Sequence, residues 1–320
     1  MQTILGTGGS LGSLLADELR KYDSKIRLVS RNPKKINPDD ETVSADFKDK
    51  ELTAKAIAGS DVVYLLVGIE YKYKVWKEFW PLMMQNVIDG CLQHKAKLVF
   101  LDNIYMLGKE SLSNVKEDSE INPCSKKGIV RAEVDQMIFD AIEKNGLKAI
   151  IARAGDFYGP KPNDSSILML MVFNKLKEGK KAQWPVDVNK MHAFTYTPDI
   201  AKAMAKLGNT ESAYNQVWNM PTDKNAPTGK EWIGMIAKKL NKAPKYQVLP
   251  NLMFTLLSPF VSMIKEVKEM NYQYTNDYII NSDKIEKELG IKPTSYEEGI
   301  TELVNLEKYP YYLEDLTFKI

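Results

Sequence analysis

Four glycines fall within the seven residues Gly6-Thr7-Gly8-Gly9-Ser10-Leu11-Gly12, between a short apolar run, Thr3 to Leu5, and three leucines at helical spacing, Leu14, Leu15 and Leu19. A strand that must turn at once into a helix leaves the first amides of that helix without backbone partners, pointing at whatever lies in front of the turn. Glycines let a pyrophosphate come close, and the bare amides favour its negative charge. Gly6, Thr7, Gly9, Ser10, Leu11 and Gly12 are therefore expected to cradle a dinucleotide, the plainer alternative being a glycine-rich turn.

The next elements repeat the alternation. A second strand, Ile26 to Val29, ends at Ser30-Arg31, and a third, Thr42 to Ala45, ends at Asp46-Phe47. A helix through Lys55 and Ile57 leads to a continuous apolar strand, Asp61 to Val67, closed by Gly68. Strand–helix alternation predicts an α/β chain, a doubly wound parallel sheet with its ligand crevice at the carboxyl ends of the strands. A chain that holds the ribose 2′-hydroxyl of NAD usually places an acid after the second strand, whereas this one has Arg31, with Lys34 and Lys35 nearby. NADP(H) is expected over NAD(H), Arg31 pairing with the 2′-phosphate; the alternative is a solvated basic loop.

Composition excludes other classes. Of 320 residues, 44 are Lys or Arg and 42 are Asp or Glu, a net charge of +2 with no basic stripe, so no nucleic-acid partner is expected. Two cysteines, Cys91 and Cys124, and two histidines, His94 and His192, lack metal-ligand spacing, so no metal is expected. The chain opens directly on a strand, and a cytoplasmic protein is expected. The longest apolar stretch, Leu252 to Ile264, is interrupted by Ser258, Pro259 and Ser262. It is shorter than the roughly 20 residues a membrane helix needs, so it is read as a broken amphipathic helix and no membrane partner is expected.

At this point the chain resembles the short-chain dehydrogenase/reductase superfamily, in its extended branch of NAD-dependent epimerases and dehydratases. Gly6, Gly9 and Gly12 fit that branch's GxxGxxG loop, Asp46-Phe47 the pair bordering the adenine, and Val67-Gly68 the strand end lining the cofactor's sugar. Asn86-Val87 fits the following helix. Arg153-Ala154-Gly155-Asp156-Phe157-Tyr158-Gly159-Pro160 resembles its "RpgnvYGP" segment, and Phe194-Thr195-Tyr196-Thr197-Pro198-Asp199-Ile200-Ala201 its "vhVdDvA" segment. Val217-Trp218-Asn219 resembles the last parallel strand, and Leu289-Gly290, Pro293 and Glu297-Glu298-Gly299-Ile300 the C-terminal signature. The resemblance implies a Rossmann-type domain at 1–155 plus about 195–222. It also implies a smaller C-terminal α+β substrate lobe at 156–194 and 223–320, and a homodimer paired through the helices after the fourth and fifth strands.

The resemblance also implies a Ser or Thr after the fifth strand and a Tyr-x-x-x-Lys on the next helix. Here the fifth strand, Lys97 to Leu101, runs into Asp102-Asn103-Ile104-Tyr105, which puts Asn103 at the hydroxyl position. Counting back from Glu133 puts Ser125 at the tyrosine position and Ile129 at the lysine position, and no Tyr lies between Tyr105 and Tyr158. Asn103, Tyr105 and Lys109 are the candidate catalytic residues, the last two being four apart, with a turn and a packed loop aromatic as the alternatives. Asp102 is a second candidate for a substrate or ribose hydroxyl. Lys126 and Lys127 are weighed as anion ligands against an exposed first helical turn, which the base rate for lysine favours.

Helices are expected near Ser166 to Glu178 and Gly229 to Leu240. Trp76, Trp80, Met83, Met84, Met169, Met171, Trp184 and Met191 either line an apolar cleft or, the commoner outcome, form core, and His192 faces the cleft or is packed. No Arg follows Arg153, which leaves little to clamp a sugar-nucleotide diphosphate. Three readings stand. The first is an NADP(H)-dependent oxidoreductase acting on a small or apolar carbonyl or alcohol with a nonstandard proton donor. The second is a non-catalytic NADP(H) sensor or interaction protein, and the third a nucleotide-sugar epimerase or dehydratase.

Overall fold

The computed structural model describes residues 1–160 and 166–308. The parts of the expected substrate lobe at 161–165 and 309–320 lie outside the described residues. In chain order the strands are β1 (Gln2–Leu5), β2 (Ile26–Ser30), β3 (Glu41–Ser44), β4 (Val62–Leu65), β5 (Lys97–Asp102), β6 (Ala149–Arg153), β7 (Phe157–Tyr158), β8 (Ala182–Pro185), β9 (Thr195–Tyr196), β10 (Gln216–Asn219) and β11 (Tyr246–Leu249). The helices are α1 (Ser10–Leu19), α2 (Lys50–Ile57), α3 (Tyr73–His94), α4 (Lys126–Asn145), α5 (Asn174–Lys177), α6 (Thr197–Gly208), α7 (Gly229–Lys239), α8 (Asn251–Leu257), α9 (Ser262–Lys268), α10 (Tyr272–Thr275), α11 (Asp283–Leu289) and α12 (Tyr296–Lys308).

Seven of these strands form one all-parallel sheet in the order β3-β2-β1-β4-β5-β6-β10. The chain reverses its winding between β1 and β4, so the loops after these strands diverge and open a crevice there. Side chains alternate across the sheet as strand geometry requires. Ile4, Leu28, Tyr64, Val99 and Ile150 meet α1 and α6 through Leu15, Leu19, Ile200 and Met204. Leu5, Val29, Val63, Leu65, Phe100 and Ile151 meet α2, α3 and α4 through Ile57, Trp80, Met84, Val87 and Val134. Being buried on both faces is why these strands read as unbroken apolar runs.

A second apolar cluster gathers Tyr158, Phe173, Trp184, Phe194, Trp232 and Tyr296 from the elements after β6, beside two parallel two-stranded ribbons, β7 with β9 and β8 with β11. The fourth strand is shorter than its apolar run. Leu66 N still reaches Leu5 O at 2.8 Å, and beyond it the chain leaves the sheet to line the crevice. The 252–264 stretch forms two helices, α8 and α9, with Pro259 in the break, where its missing N–H ends the first helix.

Candidate functional site

A cleft of about 670 Å³ opens at the carboxyl ends of β1, β2 and β4. Gly6, Gly9, Ser10, Leu11, Ser30, Arg31, Asp46, Phe47, Val67 and Gly68 all line it. Thr7 lines an adjoining recess with Ser30, Asn32 and Lys34, and Gly12 sits behind the loop against the Thr7 backbone. Gly6 holds φ +97°, and a Cβ there would stand 2.8 Å from the Val67 backbone, so no other residue fits the turn. At Gly8 and Gly9 a Cβ would meet nothing within 4 Å, leaving open space in front of α1. Gly9 caps α1 without a side-chain bond, and the first turn carries no acid, so its amides remain available to an anion. Asn86 donates from α3 to the carbonyls of Phe47 (3.0 Å) and Lys48 (3.1 Å), which fixes the loop forming that wall of the cleft. The guanidinium of Arg31 is exposed and has no carboxylate partner among the described residues. These residues fit a dinucleotide.

At the inner end, the lining residues Glu70, Leu101 and Phe157 are chain neighbours or near neighbours of a polar cluster built from Tyr71, Asn103, Tyr105 and Asp156. The Tyr71 hydroxyl donates to the Tyr105 hydroxyl at 3.4 Å, and the Tyr105 ring stacks on Trp76 with centroids 6.1 Å apart. Burial raises both phenols, with the nearby Asp156 carboxylate adding to the effect. Asp156 Oδ2 accepts from the Tyr274 hydroxyl at 3.0 Å and lies 3.0 Å from His192 Nε2. The His192 ring is sandwiched between Tyr274 and Tyr278, each with its centroid 4.4 Å away.

The other candidates are placed differently. Asn103 Oδ1 accepts from Tyr105 N at 2.9 Å and so closes the turn after β5. Lys109 is exposed at the start of a 3-10 turn, Lys109–Asn114, and is not brought to the Tyr105 hydroxyl; four residues of a loop do not share a face. Asp102 is buried in an ion pair with Arg131, whose guanidinium lies 4.1 Å from the Trp80 ring, so it is not offered to a substrate. Arg153 pairs with Asp135 at 2.8 Å in the same interior. Ser125, at the expected tyrosine position, is the N-cap of α4, accepting from Gly128 N at 2.9 Å.

Lys127 corrects the expectation of an exposed helical turn. It is fully buried, donating to Glu266 Oε2 (2.5 Å), Glu269 Oε1 (2.6 Å) and the Glu266 carbonyl (3.1 Å), with its ammonium 4.5 Å from the Tyr71 ring. Gly128 makes this possible: a Cβ there would collide with the Tyr105 carbonyl, so the start of α4 presses directly on the Tyr105 turn. Trp76, Trp80, Met83, Met84, Met169 and Trp184 are core rather than cleft lining, while Met171 and Met191 are half-buried. Tyr71, Tyr274 and the buried state of Lys127 have no local signature, since their partners arrive from distant segments. Asp156 did have one, as an acid inside an otherwise apolar Gly-Asp-Phe-Tyr-Gly run.

The family model of the NAD dependent epimerase/dehydratase family matches residues 3–220. A Methanocaldococcus jannaschii protein provisionally named a UDP-glucose 4-epimerase is 26% identical over 246 residues, covering 70% of this chain and 77% of that protein. An Arabidopsis thaliana 3beta-hydroxysteroid-dehydrogenase/decarboxylase is 25% identical over 174 residues, of which this chain spans only 29% of the length. Among solved structures, UDP-glucuronic acid 4-epimerase from Bacillus cereus in complex with NAD aligns over 100% of both chains with TM-score 0.77 and 18% identity. A dTDP-glucose 4,6-dehydratase from Streptomyces venezuelae aligns over 98% of both with TM-score 0.77 and 16% identity. At such identities the structural likeness is one of fold, whereas the family match spans about two thirds of the sequence. The chain belongs to the NAD dependent epimerase/dehydratase family.

Proposed function

We propose that the chain binds a nicotinamide dinucleotide in the cleft, NADP(H) in preference to NAD(H). We further propose that it reduces a small or apolar carbonyl, with a hydroxyl of the Tyr71–Tyr105 pair as proton donor. The observation that carries this reading is that pair, set just beyond the cleft lining. The nicotinamide, when bound, supplies the hydride. Gly8, Gly9 and the α1 amides would hold the pyrophosphate, Asp46 and Phe47 the adenine side, Val67 and Gly68 the sugar, and Arg31 with Lys34 the 2′-phosphate. Residues 1–155 with about 195–222 form the cofactor half on this reading, and the described parts of 156–194 and 223–320 the substrate half.

Burial raises the phenols of Tyr71 and Tyr105, so both stay protonated at neutral pH. A neutral phenol donates to a developing alkoxide but is a poor base towards an alcohol, which favours the reductive direction. The Lys127 ammonium lies 4.5 Å from the Tyr71 ring, and Glu266 and Glu269 already share its charge. Asp156 beside the two phenols, and the absence of any Arg after Arg153, disfavour an anionic diphosphate in the substrate half. A second reading, redox epimerisation or dehydration of a nucleotide sugar, is favoured by the M. jannaschii relative's name.

Single-turnover experiments separate the readings. The protein is loaded with NADPH, and nicotinamide absorbance is followed on adding pooled aldehydes and ketones, then UDP- and dTDP-sugars with NAD bound. Oxidation by a carbonyl pool is the expected result. A converted sugar with no net change in the cofactor would establish the second reading. Tight binding without any turnover would leave a nucleotide-binding sensor and overturn both.

A further inference from the structure

The α8–α9 hairpin is built with its polarity reversed. Its acids point inward: Glu266 accepts from Tyr73 N (2.9 Å) and Lys127, and Glu269 from Lys127 and Lys126 N (3.2 Å). Asn271 Nδ2 donates to Asn251 Oδ1 at 3.0 Å, tying the two ends together, and Phe254 and Met270 are buried. The side left to solvent is apolar, with Phe260 85% exposed, Leu252 66%, Leu256 62% and Met263 61%. Leu257 and Val261 are exposed as well. Single exposed apolar residues are ordinary; six within twelve residues, on a hairpin pinned from its other side by buried ion pairs, form a surface that needs a partner.

Charge indicates which partner. From Trp232 to Lys265 the sequence contains no Asp or Glu but five lysines. Lys239 is paired with Glu297, whereas Lys242, Lys245 and Lys265 are exposed without a carboxylate partner among the described residues. A two-fold contact between copies would bring this acid-free stretch against itself. An apolar face on an acid-free stretch of sequence that carries five lysines, Lys265 among them on α9 itself, matches the boundary between anionic headgroups and acyl chains. Among the described residues no helix is long and apolar enough to cross a membrane, and lying on one requires no such helix.

We propose that the α8–α9 hairpin docks this protein on a lipid surface carrying anionic headgroups, with Leu252, Leu256, Phe260 and Met263 entering the headgroup–acyl boundary. The proposal is independent of what the cleft turns over. It runs against the expectation of no membrane partner, which rested on the length of the 252–264 stretch; the outward placement of its side chains becomes visible only in three dimensions.

The test is co-sedimentation of the whole protein with vesicles of phosphatidylcholine alone and of phosphatidylcholine mixed with phosphatidylserine. Sedimentation with the mixed vesicles, weakened by salt, is expected. F260E/M263E should reduce partitioning by more than about tenfold, and K242E/K245E/K265E by about a hundredfold. All five substitutions fall on exposed side chains, and unchanged circular dichroism and melting temperature would confirm that the variants fold. Protein that stays in the supernatant with both vesicle types overturns the proposal, as does partitioning unaffected by F260E/M263E. Light scattering supplies a third check: a dimer that F260E/M263E converts to a monomer would show the face to be a contact between copies, and would also overturn it.

Discussion

Lys127→Met removes the cation between Glu266 and Glu269 while keeping a side chain of similar length. In the native chain Lys127 is fully buried, and its ammonium bonds both carboxylates, at 2.5 and 2.6 Å. Removing one partner of a buried pair costs about 3–5 kcal/mol, because the charge left behind has neither water nor a partner. Here the glutamate side chains keep 16% and 21% exposure, and each retains a backbone donor, Tyr73 N or Lys126 N. The low end therefore applies, about 3 kcal/mol, equivalent to roughly 4 °C in melting temperature for a chain of this size. Urea unfolding followed by tryptophan fluorescence measures it. Adding E266Q/E269Q to K127M should recover most of the loss, since no unpaired charge then remains. The pH dependence has a definite sign. Burial pushes the Glu266 carboxyl up, but the Lys127 ammonium and the Tyr73 amide outweigh it and hold it below the usual glutamate range. Its contribution is complete above the unfolded value of ~4.3 and is lost as pH falls through the folded value. The gap between native and variant should therefore narrow in acid and stay constant from neutral to mildly alkaline pH. A loss under about 1 kcal/mol, or a gap that widens in acid, would refute the assignment of Lys127 as a buried, doubly paired cation.

Three further outcomes are expected. Arg31→Ala should weaken NADPH by about 2 kcal/mol, roughly 30-fold, and leave NADH nearly unchanged in fluorescence titrations, because only the 2′-phosphate distinguishes the two. Tyr105→Phe should lower single-turnover reduction by about 10²–10⁴-fold with cofactor affinity intact, and an unchanged rate would remove Tyr105 as donor. Gly6→Ala should cost about 1–3 kcal/mol in unfolding experiments, since a Cβ must be carried at positive φ, and should abolish dinucleotide binding as the loop moves off Val67.

What the sequence made legible is what is built from neighbours in the chain. The turn at Gly6 to Gly12, the alternation of β1, α1 and β2, and the basic end of β2 are local patterns, and each has a local physical cause. The inner end of the cleft escaped because its chemistry is assembled across long separations. Lys127 reads as an exposed first-turn lysine until Glu266 and Glu269, some 140 residues later, close over it. Tyr105 and Lys109 look like a pair by number and are separated by the turn that Leu107 N closes on the Ile104 carbonyl. Trp76 and Trp80 lie at spacings that suit either a cleft or a core, and only the position of Arg131 and Phe100 against Trp80 decides for the core.

The order in which the sheet closes bears on how the chain folds during synthesis. β6 is buried along its whole length, and its outer neighbour β10 pairs Gln216 with Ile150, a separation of 66 residues spanned by β7, β8, β9 and the helices among them. A nascent chain that has emerged only as far as Arg153 therefore presents Ile150 and Ile151 on an unpaired parallel edge, the kind of template on which other chains assemble. Pairing at such long range is slow and leaves partly built sheets exposed. The sheet is thus finished by residues translated more than sixty positions after β6, and fragments ending near residue 155 should aggregate rather than persist as a soluble domain.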